Sequence, residues 1–184
     1  MVRAAASLVF ACLLLLAPAA LADQTDARLP DLFARLKAAP TEAAADPIEA
    51  EIWSIWTDAE DAELDRLMGE GIAAMNARDP KTALEDFTEL TRLAPDFAEG
   101  WNKRATLLYL LGQYEASMAD IDRTLALEPR HFGALSGLGL IQMALEHDEE
   151  ALDAFERALA IHPQMSGPRA NVELLKERLK GKTI

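Results

Sequence analysis

Few residue types in this chain could carry out chemistry, and their spacing argues against most of it. The three histidines, His131, His147 and His162, fall near predicted helix ends or turns. None has a second histidine or a cysteine at ligand spacing, so no metal centre is expected. Cys12 is the only cysteine and lies in the leading apolar segment, which leaves the remainder without a disulfide or a thiolate site. Adjacent acidic residues such as Glu149 and Glu150 diverge on a helix. They suit a first turn, where the helix dipole favours negative charge. Gly137-Leu138-Gly139 falls inside a predicted helix, without a phosphate-binding loop around it, and reads as close packing. A Ser-His-Asp set needs no adjacency in sequence, but no pattern here points to one. The expectation is a non-enzymatic protein with no catalytic residue, no cofactor and no metal.

The elements behind these residues are set by a repeat. Pro95, Pro129 and Pro163 are 34 residues apart. The same step links Phe87, Ile121 and Phe155; Ala83, Ser117 and Ala151; Gly71, Ala105 and Gly139; and Leu67, Trp101 and Leu135. Each column keeps its chemical type, and a fixed period of this length marks a stack of supersecondary units. Each copy reads as two helices: first helices at 64–77, 98–111 and 132–145, and second helices at 80–93, 115–128 and 149–162. Small residues at Gly71, Ala105 and Gly139, faced by Ala83, Ser117 and Ala151, let paired backbones approach. Trp101, Phe87 and Phe155 are expected to fill the space between. The prolines end the second helices. Asp79 before Pro80 reads as an N-cap with proline in the first turn.

Two segments carry a family likeness: 101–129, with Gly112-Gln113-Tyr114-Glu115-Ala116, and 135–163, with Ala151, Phe155 and Ala158. Together with 67–95, which has Leu90 where the last copy has Ala158, the chain resembles the tetratricopeptide-repeat family. The resemblance implies an all-α, right-handed α-solenoid of helix-turn-helix repeats at 64–97, 98–131 and 132–165. It further implies that the first helix of each pair lines an inner, concave groove. The matching residues are Met68, Ile72, Met75, Asn76, Asn102, Thr106, Tyr109, Leu110, Ser136, Leu140 and Met143. This wall is mostly apolar and bears methionines, which adapt to irregular apolar ligands. An amphipathic helix or an extended peptide is the expected occupant; the chain's own N-terminal helix or a second subunit is the competing one. Family members that grip the C-terminal carboxylates of cytosolic chaperones use lysine, arginine and asparagine. The corresponding places here hold Met68, Ile72, Lys103, Gly133 and Gly137, so that clamp is not expected.

Stacked repeats need covered ends. At the C-terminal end, 166–184 reads as a capping helix and tail: Val172, Leu175 and Leu179 share one face, Lys176, Arg178 and Lys180 complement the dipole, and Gly181 is the expected stop. At the other end, 23–29 reads as a linker and 30–63 as a degenerate copy with helices at 30–39 and 46–57. Its register sets Phe33 under Leu67, Trp53 under Phe87 and Trp56 under Leu90. Ile48, Ile52, Ile55 and Trp56 form an apolar stripe expected to cover the first repeat, with an exposed partner-binding or dimerising helix as the alternative.

Residues 1–22 stand apart. Arg3 precedes an apolar run at 4–17, Pro18 breaks it, and Ala20-Leu21-Ala22 supplies a small-x-small pattern before Asp23. This is the layout of a secretory signal peptide, with cleavage expected after Ala22. Retention as a membrane anchor and lipidation at Cys12 are the other fates such a segment can have. The formal charge of −13 disfavours nucleic acid as a partner and supports solubility. The sequence thus predicts an exported, periplasmic scaffold that binds a protein or peptide client, with membrane contact only through an uncleaved signal segment. Self-assembly through the N-terminal apolar helix is the alternative.

Overall fold

The periodic columns become packed helix pairs in the computed structural model, which describes residues 23–182. Among the described residues there are nine α-helices and no strand. After a short 3-10 turn at Asp23–Thr25 come α1 (Leu29–Ala38), α2 (Glu42–Thr57), α3 (Ala62–Asn76), α4 (Pro80–Leu93), α5 (Ala98–Leu110), α6 (Tyr114–Leu127), α7 (Phe132–Ala144), α8 (Asp148–Ile161) and α9 (Ser166–Lys182). The closest packing is within the pairs α3–α4, α5–α6 and α7–α8. The fold is an all-α tetratricopeptide-type helical repeat. The expected signal peptide, residues 1–22, lies outside the described residues.

The small-residue columns explain why the pairs close. A Cβ built on Gly71 would sit 2.5 Å from Phe87 Cε1, and one on Gly139 would sit 2.6 Å from Phe155 Cε1. In the middle pair Ala105 meets Ile121, so the larger residue of one column accompanies the smaller of the other. Ser117 is wholly buried there, and its hydroxyl donates to Ala105 O at 2.7 Å, which offsets the cost of burying it. Each pair turns through a left-handed residue, at Arg78 (φ 59°), Gly112 (φ 71°) and Glu146 (φ 61°). Only glycine takes that conformation without a steric cost. Asp79 caps α4 as expected, accepting from Thr82 N.

Three expectations need correction. Trp101 is not a core residue: it is half-buried, its indole donates to Pro95 O, and the Arg104 guanidinium lies 4.8 Å over its ring. Helix α9 continues through Gly181 to Lys182, because that glycine does not adopt a left-handed conformation; Val172 and Leu175 do cover Ala151 and Phe155. Helix α2 begins at Glu42, with Thr41 accepting from Ala44 N, and carries Pro47 in its interior, not in its first turn.

The largest difference concerns 30–63. Helices α2 and α3 are consecutive, but they do not pack as a pair. The α1–α2 hairpin instead lies across the array, with α2 against α5 and α1 against α8. Its apolar face joins Leu29, Leu32, Leu36, Ile52, Ile55 and Trp56 to Phe132 of α7, and Ile161 and Met165 pack on the same core. The stripe is therefore neither an exposed helix nor a cover for the first repeat. The core of that repeat, around Leu64, Leu67, Phe87 and Leu90, is separate from it. Lys37 and Glu49, where the other copies have small residues, lack the small size that would let α1 and α2 pack as a repeat.

Candidate functional site

Helix α5 touches both α3 and α7, so the first helices of successive pairs form one continuous surface. Between α5 and α7 this surface opens into a cavity of about 280 Å³. Of the expected groove residues, Asn102, Thr106, Tyr109, Leu110, Ser136 and Leu140 line it. Gly133, Ala134, Gly137 and Met165 add small and flexible surface, and no charged side chain lines it. Leu110 is 65% exposed and Leu140 36% exposed, at the mouth. Met75 and Leu110 also border a second hollow of about 260 Å³ with Leu107 and Leu111.

The other expected residues go elsewhere. Met68 is buried in the core of the first repeat, and Ile72 packs beside it. Met143 packs against the α8–α9 core. Asn76 is exposed and borders neither hollow. Asn102 is buried, and its amide donates to Glu99 Oε2 at 2.9 Å, so it is already engaged.

That bond belongs to a network at the N-terminal ends of α5 and α7. Glu99 is 1% exposed. One oxygen lies 2.8 Å from Lys103 Nζ, and the other 2.8 Å from His131 Nε2. His131 Nδ1 accepts the Ala134 amide at 3.0 Å, which places the ring proton on Nε2, donating to Glu99. Burial pushes the Glu99 carboxyl up, but the His131 hydrogen bond and the Lys103 charge outweigh it and hold the group below its ordinary value. A carboxylate so held is a structural anchor; it has no free side toward the cavity.

The hairpin sits directly on this network. Trp56, 1% exposed, stacks on His131 with ring centroids 4.2 Å apart. Trp53 meets His131, Phe132 and Trp56 edge-on, and Lys103 Nζ lies 5.4 Å from its ring. A Cβ on Gly133 would fall 2.7 Å from Trp53 Cη2, so the glycine makes room for the indole. Glu49 links both sides, accepting from Trp53 Nε1 at 3.0 Å and meeting His162 Nε2 at 3.0 Å. The sequence offers His131 and His162 no metal partner. Their partners are carboxylates 32 and 113 residues away, a distance that no local pattern signals. Among the described residues no group of His, Cys, Asp and Glu could hold a metal ion, and no helix is long and apolar enough to cross a membrane.

The groove thus has two halves: one filled by Trp53 and Trp56, one open between Tyr109, Leu110 and Leu140. Comparison with known proteins fits this architecture. A tetratricopeptide-repeat family profile matches residues 68–126 and 111–166. A tetratricopeptide repeat-containing protein of Rhizobium etli is 40% identical over 154 residues, 84% of this chain and 76% of that protein. The small glutamine-rich tetratricopeptide repeat-containing protein 2 of Saccharomyces cerevisiae is 29% identical over 100 residues, which cover 54% of this chain but only 29% of that protein. Among solved structures, the Sgt2 tetratricopeptide domain from Aspergillus fumigatus aligns with a TM-score of 0.63 at 23% identity, over 67% of this chain and 83% of that one. The first tetratricopeptide domain of Spaghetti, solved with an HSP90 peptide, aligns with a TM-score of 0.62 at 20% identity, over 64% of this chain and 94% of that one. Domains of this kind generally mediate protein or peptide binding and are generally not catalytic. With the profile spanning more than half of its length and a 40%-identical relative covering most of it, the chain belongs to the tetratricopeptide-repeat family.

Proposed function

We propose that this protein is a non-enzymatic scaffold that binds a protein or peptide client through the open half of the α5–α7 groove. One observation carries the reading: a cavity of about 280 Å³, with no charged lining residue, beside a leucine that is 65% exposed. A hollow of that size takes one or two large apolar side chains of a helix or an extended segment. The client chemistry differs from that of the HSP90-peptide neighbour. Of the five positions where a carboxylate clamp would require polar or cationic groups, only Lys103 is cationic, and it pairs with Glu99 beside Trp53.

The setting in this reading is the periplasm of a bacterial envelope. It rests on the sequence of residues 1–22 and is tested by mass spectrometry of the mature N-terminus: a chain beginning at Asp23 is expected. Self-assembly through the N-terminal stripe is less well supported, because Ile52, Ile55 and Trp56 are buried inside the chain and would first have to be released.

Photo-crosslinking in the native host tests the groove. A crosslinking residue at Leu110 or Leu140 is expected to give discrete protein adducts that disappear on Gly137→Leu. A Cβ at Gly137 makes only ordinary contact, 3.7 Å from Ile121 Cδ1, so the leucine can enter the cavity. Adducts no stronger than those from Leu174, exposed on α9, would contradict the proposal.

A further inference from the structure

The hairpin is joined to the array differently from the way the two helices of a repeat are joined to each other. Within the repeats, small residues face Phe87, Ile121 and Phe155. The hairpin seat is aromatic and ionic, and two of its buried nitrogens, Trp56 Nε1 and His162 Nδ1, have no hydrogen-bond partner. Such atoms carry a desolvation cost that a better-fitting occupant would relieve. Helix α2 also contains Pro47, which breaks its hydrogen-bond ladder. The connection to α3 passes through Glu60 at φ 51°, a left-handed conformation that is costly for a non-glycine residue. Each feature lowers the cost of releasing the hairpin while α3–α9 stay packed.

The residues that seat the hairpin form a compact set on one helix: Glu49, Trp53 and Trp56, spaced at i, i+4 and i+7 and so on one face. Each has its own receptor: His162 for the carboxylate, the space over Gly133 beside Lys103 for the first indole, and the His131 face for the second. The occupied half also runs into the open cavity, since Gly133 and Met165 border both.

We propose that α1–α2 is a displaceable intrachain ligand that holds the groove half closed. The partner that opens it is an amphipathic helix presenting a carboxylate and two aromatic rings at i, i+4 and i+7. This rests on the binding function proposed above and names the regulation of that same groove. A client that reproduces the set gains the occupied half and the open half together, whereas one that uses only the open half binds without moving the hairpin. Tethering gives the hairpin a high effective concentration, so it keeps out weaker helices.

The test uses the full chain and a labelled peptide of residues 28–57 as the probe. Glu49→Ala/Trp53→Ala is expected to expose α2 to hydrogen exchange while α5–α8 stay protected. This variant should bind the peptide at least tenfold more tightly than the wild-type chain. Adding Gly133→Ala should abolish that binding, because the new Cβ occupies the place of the probe's Trp53 ring. An opened variant that fails to bind the peptide, or binds it equally with Gly133→Ala, overturns the proposal. So does a variant whose α2 stays protected. Should the double variant unfold, the wild-type chain decides: α1–α2 amides must exchange through an opening that leaves the array protected, and exchange only with global unfolding overturns the proposal. Crosslinks from Leu110 that persist while the peptide fails would sink this inference and leave the binding function standing; the reverse pattern would do the opposite.

Discussion

The two halves of the α5–α7 groove lie on the same two helices yet hold opposite chemistry. At the N-terminal ends of α5 and α7, a buried carboxylate collects His131, Asn102 and Lys103, and the hairpin's two indoles close over them. One turn or two further along, the same helices present Thr106, Tyr109, Leu110 and Leu140 around an uncharged cavity. The first half engages most of its polar groups, leaving Trp56 Nε1 and His162 Nδ1 without hydrogen bonds, and contributes to stability. The second offers shape and an uncharged, largely apolar surface, with Tyr109 resting on Tyr114, which suits it to recognition. The difference teaches that the charged and aromatic residues around Glu99 hold the hairpin, and that the uncharged half is the surface on which client binding is proposed.

This division can be broken most severely at Glu99. Glu99→Gln is expected to cost about 3–5 kcal/mol at neutral pH, because it removes the charge that Lys103 and His131 are arranged around. The folded-state carboxyl lies below its ordinary value of 4.5, so its stabilisation is present above that pH and is lost as pH falls through the folded value. Chemical denaturation of both chains from pH 7 to pH 3 should show the gap between them closing below about 4.5. Next comes Trp56→Ala, which leaves a cavity on His131 and should cost about 3 kcal/mol or more by urea denaturation. The indole's lack of a hydrogen-bond partner makes Trp56→Phe much milder.

A smaller effect separates the scaffold from both halves. Gly139→Ala should cost about 1–3 kcal/mol through overlap with Phe155. Adding Phe155→Ile, which copies the Ala105–Ile121 pairing of the middle repeat, should recover part of that loss in a double-mutant cycle. The smallest effect belongs to the open half. Leu140→Asp, at a residue 36% exposed, should change stability by no more than about 0.5–1 kcal/mol while removing the crosslinks from Leu110. A large loss of stability there would mean that the open half is structural too.

Much of this was legible in the sequence. The six repeat helices lie within two residues of their expected bounds, because proline, glycine and a fixed 34-residue step mark their ends directly. The cavity residues Tyr109, Leu110, Ser136 and Leu140 are among those that the family resemblance implies for the groove. The hairpin did not follow. Its stripe announces burial but not what buries it, and Phe132, the buried residue it meets, is 76 residues from Trp56. Continuing a register backwards also assumes that every copy stacks, whereas Lys37 and Glu49 are too large for the close approach that stacking requires. For Met68 and Met143 the resemblance implies a place on the groove wall that the structure does not give them. Their actual burial depends on how far each pair rotates against its neighbour, which spacing does not record.

Ring-proton nuclear Overhauser effects measure directly whether the hairpin lies across the array instead of before the first repeat. Strong effects from Trp56 and Trp53 to the His131 ring are expected, at centroid distances of 4.2 Å and 5.5 Å. Effects from those indoles to Leu64 and Leu67 in place of His131 and Phe132 would put the hairpin on the end of the stack and contradict the account.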